Sequence, residues 1–288
     1  MMVDKKVKLV ECPRDAMQGW PVFIPTAEKI IYLQSLLNVG FHTLDFGSFV
    51  SPRAIPQMAD TNDVLAQLDL SQTQTKLLAI VANERGAEAA CASEKIRYLG
   101  FPFSISETFQ QRNTNAGIGE SLQRVTKIQE MCVAHNKELV VYISMGFGNP
   151  YGDVYNTDIV FDWVDNMASL GIHIISLADT VGMATAEEVA NITQNVIKKF
   201  PAVECGVHLH AEAHNWQPKF DAALNAGCRR FDGALKGIGG CPMAGNDLVG
   251  NMNMENMIAR CEALNIESDI DKTALQSSLE IAGHIFHS

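Results

Sequence analysis

The segment GVHLHAEAHN, residues 206–215, contains three of the eight histidines in the chain. His208 and His210 follow the short run ECGV, which predicts a strand. Alternate side chains of a strand point to one face, so both imidazoles are expected on the same side, with Leu209 opposite. Two neutral imidazoles can bind one cation, whereas the alternative is a polar strand end exposed to water. Further ligands must come from elsewhere in the chain.

Other residues with acidic, basic or polar side chains lie within the apolar runs of the sequence or after them. They are Arg14, Asp15 and Gln18, then Asp45 and Ser48, then Ser106 and Glu107, then Asp179 and Thr180, and finally Asn251. Each has a structural alternative: Asp15 could cap a helix or pair with a lysine, and Asp179-Thr180 could form a turn. A fold that gathers them at one place would favour a functional site.

Eight apolar runs alternate with helical patterns along the chain. The runs are 7–11, 43–49, 76–82, 96–101, 139–146, 172–178, 205–210 and 229–235. The helical patterns include 26–39, 120–135, 157–170, 185–200 and 216–226. This alternation predicts an α/β fold, a (β/α)8 TIM barrel formed by a single domain over 1–288, with a C-terminal helix at 272–285 on its outside. An open doubly wound sheet is the alternative, although no GxGxxG follows the first run.

In such a barrel, reactive residues lie where the strands end. We therefore expect Asp15, His208, His210 and Asn251 to meet on one rim and to form a site for a divalent metal. Oxygen and nitrogen ligands suit Mg²⁺ or Mn²⁺, while a thiolate would favour zinc. Polar groups at buried strand ends need partners, so their convergence is harder to explain without a function.

Arg14 and Cys241 each allow two interpretations. We place Arg14 and Asp15 at the end of the first strand, where adjacent side chains point to opposite faces. Arg14 could stabilise an oxyanion, or it could simply pair with a carboxylate on the rim. Cys241 lies among five glycines in residues 237–251, so it could be a mobile acid or base, or a thiol without a role.

Charge and cysteine content limit the partners of the chain. The 288 residues carry a formal net charge of -11, which disfavours binding to nucleic acid. No apolar run approaches the length of a membrane span, so no membrane partner is expected. Seven cysteines at irregular spacing without a CxxC pair indicate free thiols and a cytoplasmic location.

Several motifs together resemble the HMG-CoA (3-hydroxy-3-methylglutaryl-CoA) lyases of the DRE-TIM metallolyase group over nearly the whole chain. They are VECPRDAMQ (10–18), GSFVSPRAIPQMAD (47–60), SETF (106–109), SLADTVGMAT (176–185), GVHLH (206–210) and GIGGCPMAGN (237–246) with GN at 250–251. The second and the last motif are the most specific. The resemblance implies a TIM barrel and a retro-Claisen cleavage of HMG-CoA to acetyl-CoA and acetoacetate.

The resemblance also implies roles for individual residues. The metal would be held by Asp15, His208, His210 and Asn251, with Asp15 and His208 also counted as catalytic. Arg14 would polarise the thioester carbonyl, Cys241 would be the catalytic thiol of a mobile loop, and Glu255 would be an acidic residue beside the metal. We expect Gln18, Asp45, Ser48 and Thr180, which lie on the same rim, to bind the substrate. The partner is then an acyl-CoA thioester, and a homodimer is expected.

The chain departs from the family pattern at three places. Ala211 to His214 replace a segment that is usually Asp-Thr-Tyr-Gly or similar, Asp45 stands where glutamate is usual, and Gly19-Trp20 replace Asn-Glu. These departures leave two alternatives open. One is a related aldolase or Claisen-type enzyme that acts on another 3-hydroxyacyl-CoA, and the other is a non-catalytic barrel that only binds ligands.

Overall fold

Eight parallel strands form a closed barrel in the computed structural model, which describes residues 6–240 and 249–286. The strands are β1 (Lys8–Glu11), β2 (Thr43–Ser48), β3 (Lys76–Ile80), β4 (Ile96–Ser104), β5 (Glu138–Ser144), β6 (Ile174–Asp179), β7 (Glu204–Leu209) and β8 (Arg230–Gly233). The barrel closes because β8 pairs with β1, with Lys8 opposite Arg230 and Glu11 opposite Gly233. The predicted (β/α)8 barrel is confirmed, and the open doubly wound sheet is wrong.

Helices connect successive strands, and two more helices follow the last strand. They are α1 (Pro13–Gln18), α2 (Thr26–Leu37), α3 (Thr61–Gln67), α4 (Glu84–Cys91), α5 (Glu107–Thr114), α6 (Ile118–Ala134), α7 (Thr157–Ser169), α8 (Ala186–Lys199), α9 (Trp216–Asn225), α10 (Met254–Ala263) and α11 (Lys272–Ile285). Short 3₁₀ turns occur at Pro56–Met58 and Leu235–Gly237. None of the described helices is long and apolar enough to cross a bilayer.

Local sequence signals explain where many helices begin and end. Thr185 accepts a hydrogen bond from the Glu188 amide, and the Glu188 side chain accepts one from the Thr185 amide, which forms a capping box at the start of α8. Gly40, Gly171 and Gly227 follow helices in the left-handed backbone region, with φ of 91°, 79° and 103°. Glycine adopts this backbone region without a steric penalty because it has no side chain, so these residues end the helices at little cost.

The first strand ends where the apolar run 7–11 ends and does not reach Arg14 and Asp15, which were placed at its end from the sequence. It ends at Glu11, and Arg14 and Asp15 belong to helix α1, so their assignment to the strand was wrong. The reason is Pro13, which cannot donate a hydrogen bond to a strand partner but fits the first turn of a helix. Strand β4, in contrast, continues to Ser104, and Ser106 caps α5 by accepting a hydrogen bond from the Phe109 amide.

The C-terminal helix α11 packs outside the barrel, as predicted. Its cap Asp271 donates its backbone amide to Val39, and the Ser278 and Ser35 hydroxyls lie 3.0 Å apart. Inside the barrel, a separate apolar cluster fills the space between the strands. It consists of Leu78, Ile80, Tyr98, Val140, Tyr142 and Ile174. Because this apolar cluster fills the interior of the barrel, a cavity can form only at the carboxyl ends of the strands.

Candidate active site

Three of the predicted metal ligands come together at the carboxyl end of the barrel. The ligand atoms of Asp15, His208 and His210 all lie within 4.8 Å of one another. The ring centroids of the two histidines are 5.3 Å apart, so both imidazoles share a face, as the alternation in β7 predicted. Metal–ligand bonds of about 2.0–2.3 Å would let one cation contact all three side chains.

Asn251 joins this cluster through its backbone and its side chain. It forms a β-bridge with His210, and its amide nitrogen donates to Asp15 Oδ2 at 2.7 Å and to the Ile238 carbonyl at 2.9 Å. Its Oδ1 is buried and has no hydrogen-bond partner among the described residues. A buried oxygen without a partner is costly, whereas a cation would satisfy it. The donor set therefore fits a divalent metal with oxygen and nitrogen ligands.

Helix α1 brings Arg14 and Asp15 to the same cavity. The guanidinium of Arg14 donates from Nε and Nη2 to the carboxylate of Asp45, which is 1% exposed. Its Nη1 donates to Asp15 Oδ1 at 2.9 Å and to Gln18 Oε1 at 3.0 Å. Arg14 therefore pairs with carboxylates, as one of its two interpretations expected. The same pairs also fix the guanidinium in the lining of the cavity.

The two carboxylates beside Arg14 have opposite shifts of their pKa. Burial opposes ionisation of Asp15, but Arg14 and the two histidines lower its pKa to about 2. Burial dominates at Asp45 and raises its pKa to about 6, although the paired Arg14 lowers it. Asp15 is therefore an anion across the neutral range, which suits a metal ligand.

The two histidines also differ. Burial lowers the pKa of His208, but the hydrogen bond and charge of Asp232 outweigh this effect and raise it above its ordinary value. Burial and the charge of His208 lower the pKa of His210 to about 4. His210 is then a neutral imidazole with a free lone pair at neutral pH.

Two buried residues that support the histidines were not found from the sequence. Asp232 of β8 lies 3.3 Å from Nδ1 of His208 and fixes the orientation of that ring. Lys219 of α9 donates to Asp179 Oδ2 at 2.8 Å and to the backbone carbonyl of His210 at 3.0 Å. A carboxylate within the short apolar run 229–235 was the available signal for Asp232, whereas Lys219 resembles an ordinary surface lysine of a helix.

An open cavity of about 830 Å³, including the space at its mouth, contains the ligand cluster. Its lining includes the polar side chains of Arg14, Asp15, Gln18, Thr180, His208 and His210. It also includes the apolar side chains of Val50, Ile55, Ile80, Ala82, Pro102 and Phe109. Such a cavity can hold a small molecule with charged and apolar parts.

The four expected substrate-binding residues occupy different places. Gln18 and Thr180 line the cavity, and the Thr180 hydroxyl accepts a hydrogen bond from the Met145 amide. Asp45 lies behind Arg14 instead of facing the cavity. The Ser48 hydroxyl accepts from the Val50 amide, and Ser48 lines a separate surface pocket beside α4. The structure therefore brings only two of the four to the ligand cluster.

Cys241 lies outside the described residues, so its position relative to the cavity stays a prediction. The described part of its loop approaches the cluster closely, because a Cβ on Gly239 would lie 2.5 Å from Asn251 Nδ2. Glu255 accepts two hydrogen bonds from the Lys236 amide. It thus holds the beginning of the loop and is not one of the clustered ligands.

Comparisons with a family model and with known proteins indicate the same family. The HMGL-like family model matches residues 6–281. A 3-hydroxy-3-isohexenylglutaryl-CoA/hydroxymethylglutaryl-CoA lyase from Pseudomonas aeruginosa is 33% identical, with 96% of this chain and 91% of the relative covered. An (R)-citramalyl-CoA lyase from Chloroflexus aurantiacus is 30% identical, with 91% and 85% covered.

A solved structure shows the same architecture. It is an HMG-CoA lyase from Acinetobacter baumannii in complex with coenzyme A and 3-methylmalate. The two chains share 29% identity with a TM-score of 0.90, and the match covers 99% of this chain and 92% of the other.

Proposed function

The chain belongs to the HMGL-like family, and from this premise we propose that it is a metal-dependent carbon–carbon lyase that cleaves HMG-CoA to acetyl-CoA and acetoacetate. The observation that carries the proposal is the cluster of Asp15, His208 and His210 with Arg14 on the same cavity wall. The relatives from P. aeruginosa and other organisms are CoA-thioester lyases by name, which supports the same reaction.

We propose that Asp15, His208, His210 and Asn251 hold the metal, with Mg²⁺ or Mn²⁺ as the ion. When bound, such a cation supplies Lewis acidity that makes the tertiary hydroxyl of the substrate easier to deprotonate. The side chains of the protein supply the charge and the donor atoms that hold the cation. Asp15 supplies a permanent negative charge, and His210 supplies a neutral ring nitrogen.

Arg14 would stabilise the charge that develops on the thioester oxygen as the carbon–carbon bond breaks. Asp45 and Asp15 fix the guanidinium before the substrate binds, so little reorganisation is needed in the transition state. The apolar lining residues Val50, Ile55 and Ile80 would receive the methyl substituent and exclude water from it. Cys241, on the glycine-rich loop, would donate the proton that converts the enolate of acetyl-CoA into product.

The test is direct. Purified protein is incubated with HMG-CoA and Mg²⁺ or Mn²⁺, and acetyl-CoA release is measured before and after chelation. We expect activity to disappear with the metal and to return on its addition. Full activity in metal-stripped protein would contradict the metal site, and no cleavage of any CoA thioester would contradict the lyase assignment.

A second candidate substrate comes from the relative named (R)-citramalyl-CoA lyase. The departures at Ala211 to His214 and at Asp45 favour testing it beside HMG-CoA. Comparison of kcat/KM for the two thioesters decides between them. We further propose that residues 1–288 form one catalytic domain and that the protein is cytoplasmic. We also propose that it forms a homodimer, which light scattering of the purified protein tests.

A further inference from the structure

A second group of metal-binding side chains lies on the other side of His208. The ligand atoms of Cys12, His208 and Asp232 all lie within 4.8 Å of one another. Cys12 precedes α1, and Asp232 lies in β8, so β1 and β8, which pair with each other, bring the two together. Both residues are almost fully buried, with exposures of 1% and 2%.

The bonding of this group is incomplete. Oδ1 of Asp232 is buried and has no hydrogen-bond partner among residues 6–240 and 249–286. The Cys12 thiol makes a long contact of 3.7 Å with the Val10 carbonyl. A buried carboxylate oxygen without a partner is costly, and a bound cation would remove this cost.

We propose that Cys12, His208 and Asp232 form a second divalent metal site, selective for thiophilic ions such as Zn²⁺, Co²⁺ and Cd²⁺. Sulfur, nitrogen and oxygen donors are the set that these ions prefer, whereas the neighbouring cluster offers only oxygen and nitrogen. On binding, the thiol loses its proton to solvent, and the thiolate and carboxylate then balance the two charges of the ion. This balance favours a divalent cation in a buried place.

The two sites share His208, so they exclude each other. Nδ1 of His208 lies 3.3 Å from Asp232, which leaves Nε2 for the side of Asp15 and His210. A neutral imidazole has one unprotonated nitrogen, and therefore binds one metal ion at a time. A thiophilic ion at the second site would thus inhibit an enzyme that uses Mg²⁺ or Mn²⁺ at the first. This consequence, unlike the site itself, rests on the proposed function.

Cobalt titration of metal-stripped protein tests the site without an activity assay. Thiolate coordination to Co²⁺ gives a charge-transfer absorption band, which we expect in the wild-type protein. Cys12→Ser should abolish the band, while Cys91→Ser, a buried cysteine outside the cluster, should leave it unchanged. A band that depends on Cys241 instead of Cys12, or no thiolate band at all, would overturn the proposal.

Two further measurements make the outcome independent of variant folding and of the lyase assignment. ¹¹³Cd NMR of the wild-type protein should show one bound ion with a sulfur ligand, and a spectrum with only nitrogen and oxygen ligands would contradict the site. Asp15→Asn should keep the cobalt band while losing Mg²⁺-dependent cleavage. If the band is present but no thioester is cleaved by the wild type, the proposed function fails and the second site stands.

The competition is measured last. Zn²⁺ should inhibit Mg²⁺-supported cleavage, and Cys12→Ser should keep the basal rate but weaken inhibition by more than about 100-fold, because even outer partners of a metal site contribute about 10–100-fold to affinity. Equal inhibition of both proteins would show that Zn²⁺ acts at the first cluster, and the mutual exclusion of the two sites would be refuted.

Discussion

Replacement of Asp45 by asparagine should show whether the orientation of Arg14, and not only its presence, is needed for cleavage. Asp45 is buried and accepts hydrogen bonds from both Nε and Nη2 of Arg14. Asparagine keeps the size of the side chain but removes its charge, and its amide group would place donors opposite the donors of the guanidinium. Arg14 would then turn toward its remaining anionic partner, Asp15, 2.9 Å away.

The magnitude follows from the two bonds that change. A hydrogen bond to a charged group contributes about 1.5–3 kcal/mol and a neutral one about 0.5–1.5 kcal/mol, so the loss for two bonds is about 2–3 kcal/mol of unfolding free energy. Loss of one aligned donor to a developing oxyanion costs about 10²–10³ in rate. We therefore expect Asp45→Asn to lower kcat/KM by about 10²–10³ through kcat.

The assays are urea unfolding followed by circular dichroism and acetyl-CoA release from HMG-CoA. Asp63→Asn, which neutralises an exposed carboxylate, is the matched control and should change neither quantity. Asp45→Glu keeps the charge but moves it by roughly an ångström, which can cost about 10² in rate. Turnover of Asp45→Asn within about threefold of the wild type would show that Arg14 does not depend on Asp45 for its alignment. If Asp45→Glu raises turnover of HMG-CoA, the shorter Asp45 disfavours this substrate.

Three further predictions concern the loop thiol, a buried lysine and pH. Cys241→Ala should keep stability and metal binding but lose about 10²–10⁴ in kcat; wild-type turnover would show that the thiol has no catalytic role. Lys219→Met should lower the unfolding free energy by about 3–5 kcal/mol, because it leaves the carboxylate of Asp179 buried without this lysine. Lys198→Met, at an exposed lysine, should have almost no effect. Equal losses of unfolding free energy in the two variants would contradict the role of the buried ion pair. Metal affinity should fall as pH decreases through the raised pKa of His208, with one proton displaced per ion, since His210 protonates only near pH 4. A slope of two protons near neutral pH in a metal titration would refute the assignment of these pKa shifts.

Several site residues could be predicted because their signals are local. The spacing of His208 and His210 determines that both rings share a face of β7, since strand side chains alternate. The barrel rule then places Asp15 and Asn251 near them without any knowledge of distances. The resemblance motifs supported the same four residues.

Other features depended on contacts between distant segments. Pro13 is a local signal for the start of α1, and the apolar run before it nevertheless favoured a strand that continued to Arg14 and Asp15. The position of Asp45 behind Arg14 depends on how α1 packs against β2. Asp232 reaches His208 only because β7 and β8 are neighbours with these two residues in register.

The sequence by itself determined the order of strands and helices, the closed barrel expected from that order, and the rim on which the histidines lie. These follow from hydrophobic periodicity, from helix caps and from the geometry of a single strand, all of which act over a few residues. Only the tertiary structure decided that Asp45 orients Arg14, that Lys219 supports the backbone of His210, and that Cys12, His208 and Asp232 meet. The physical reason is that a buried charge is stable only beside its partner. That partner is determined by the packing of segments up to about two hundred residues apart. No local sequence pattern contains this information.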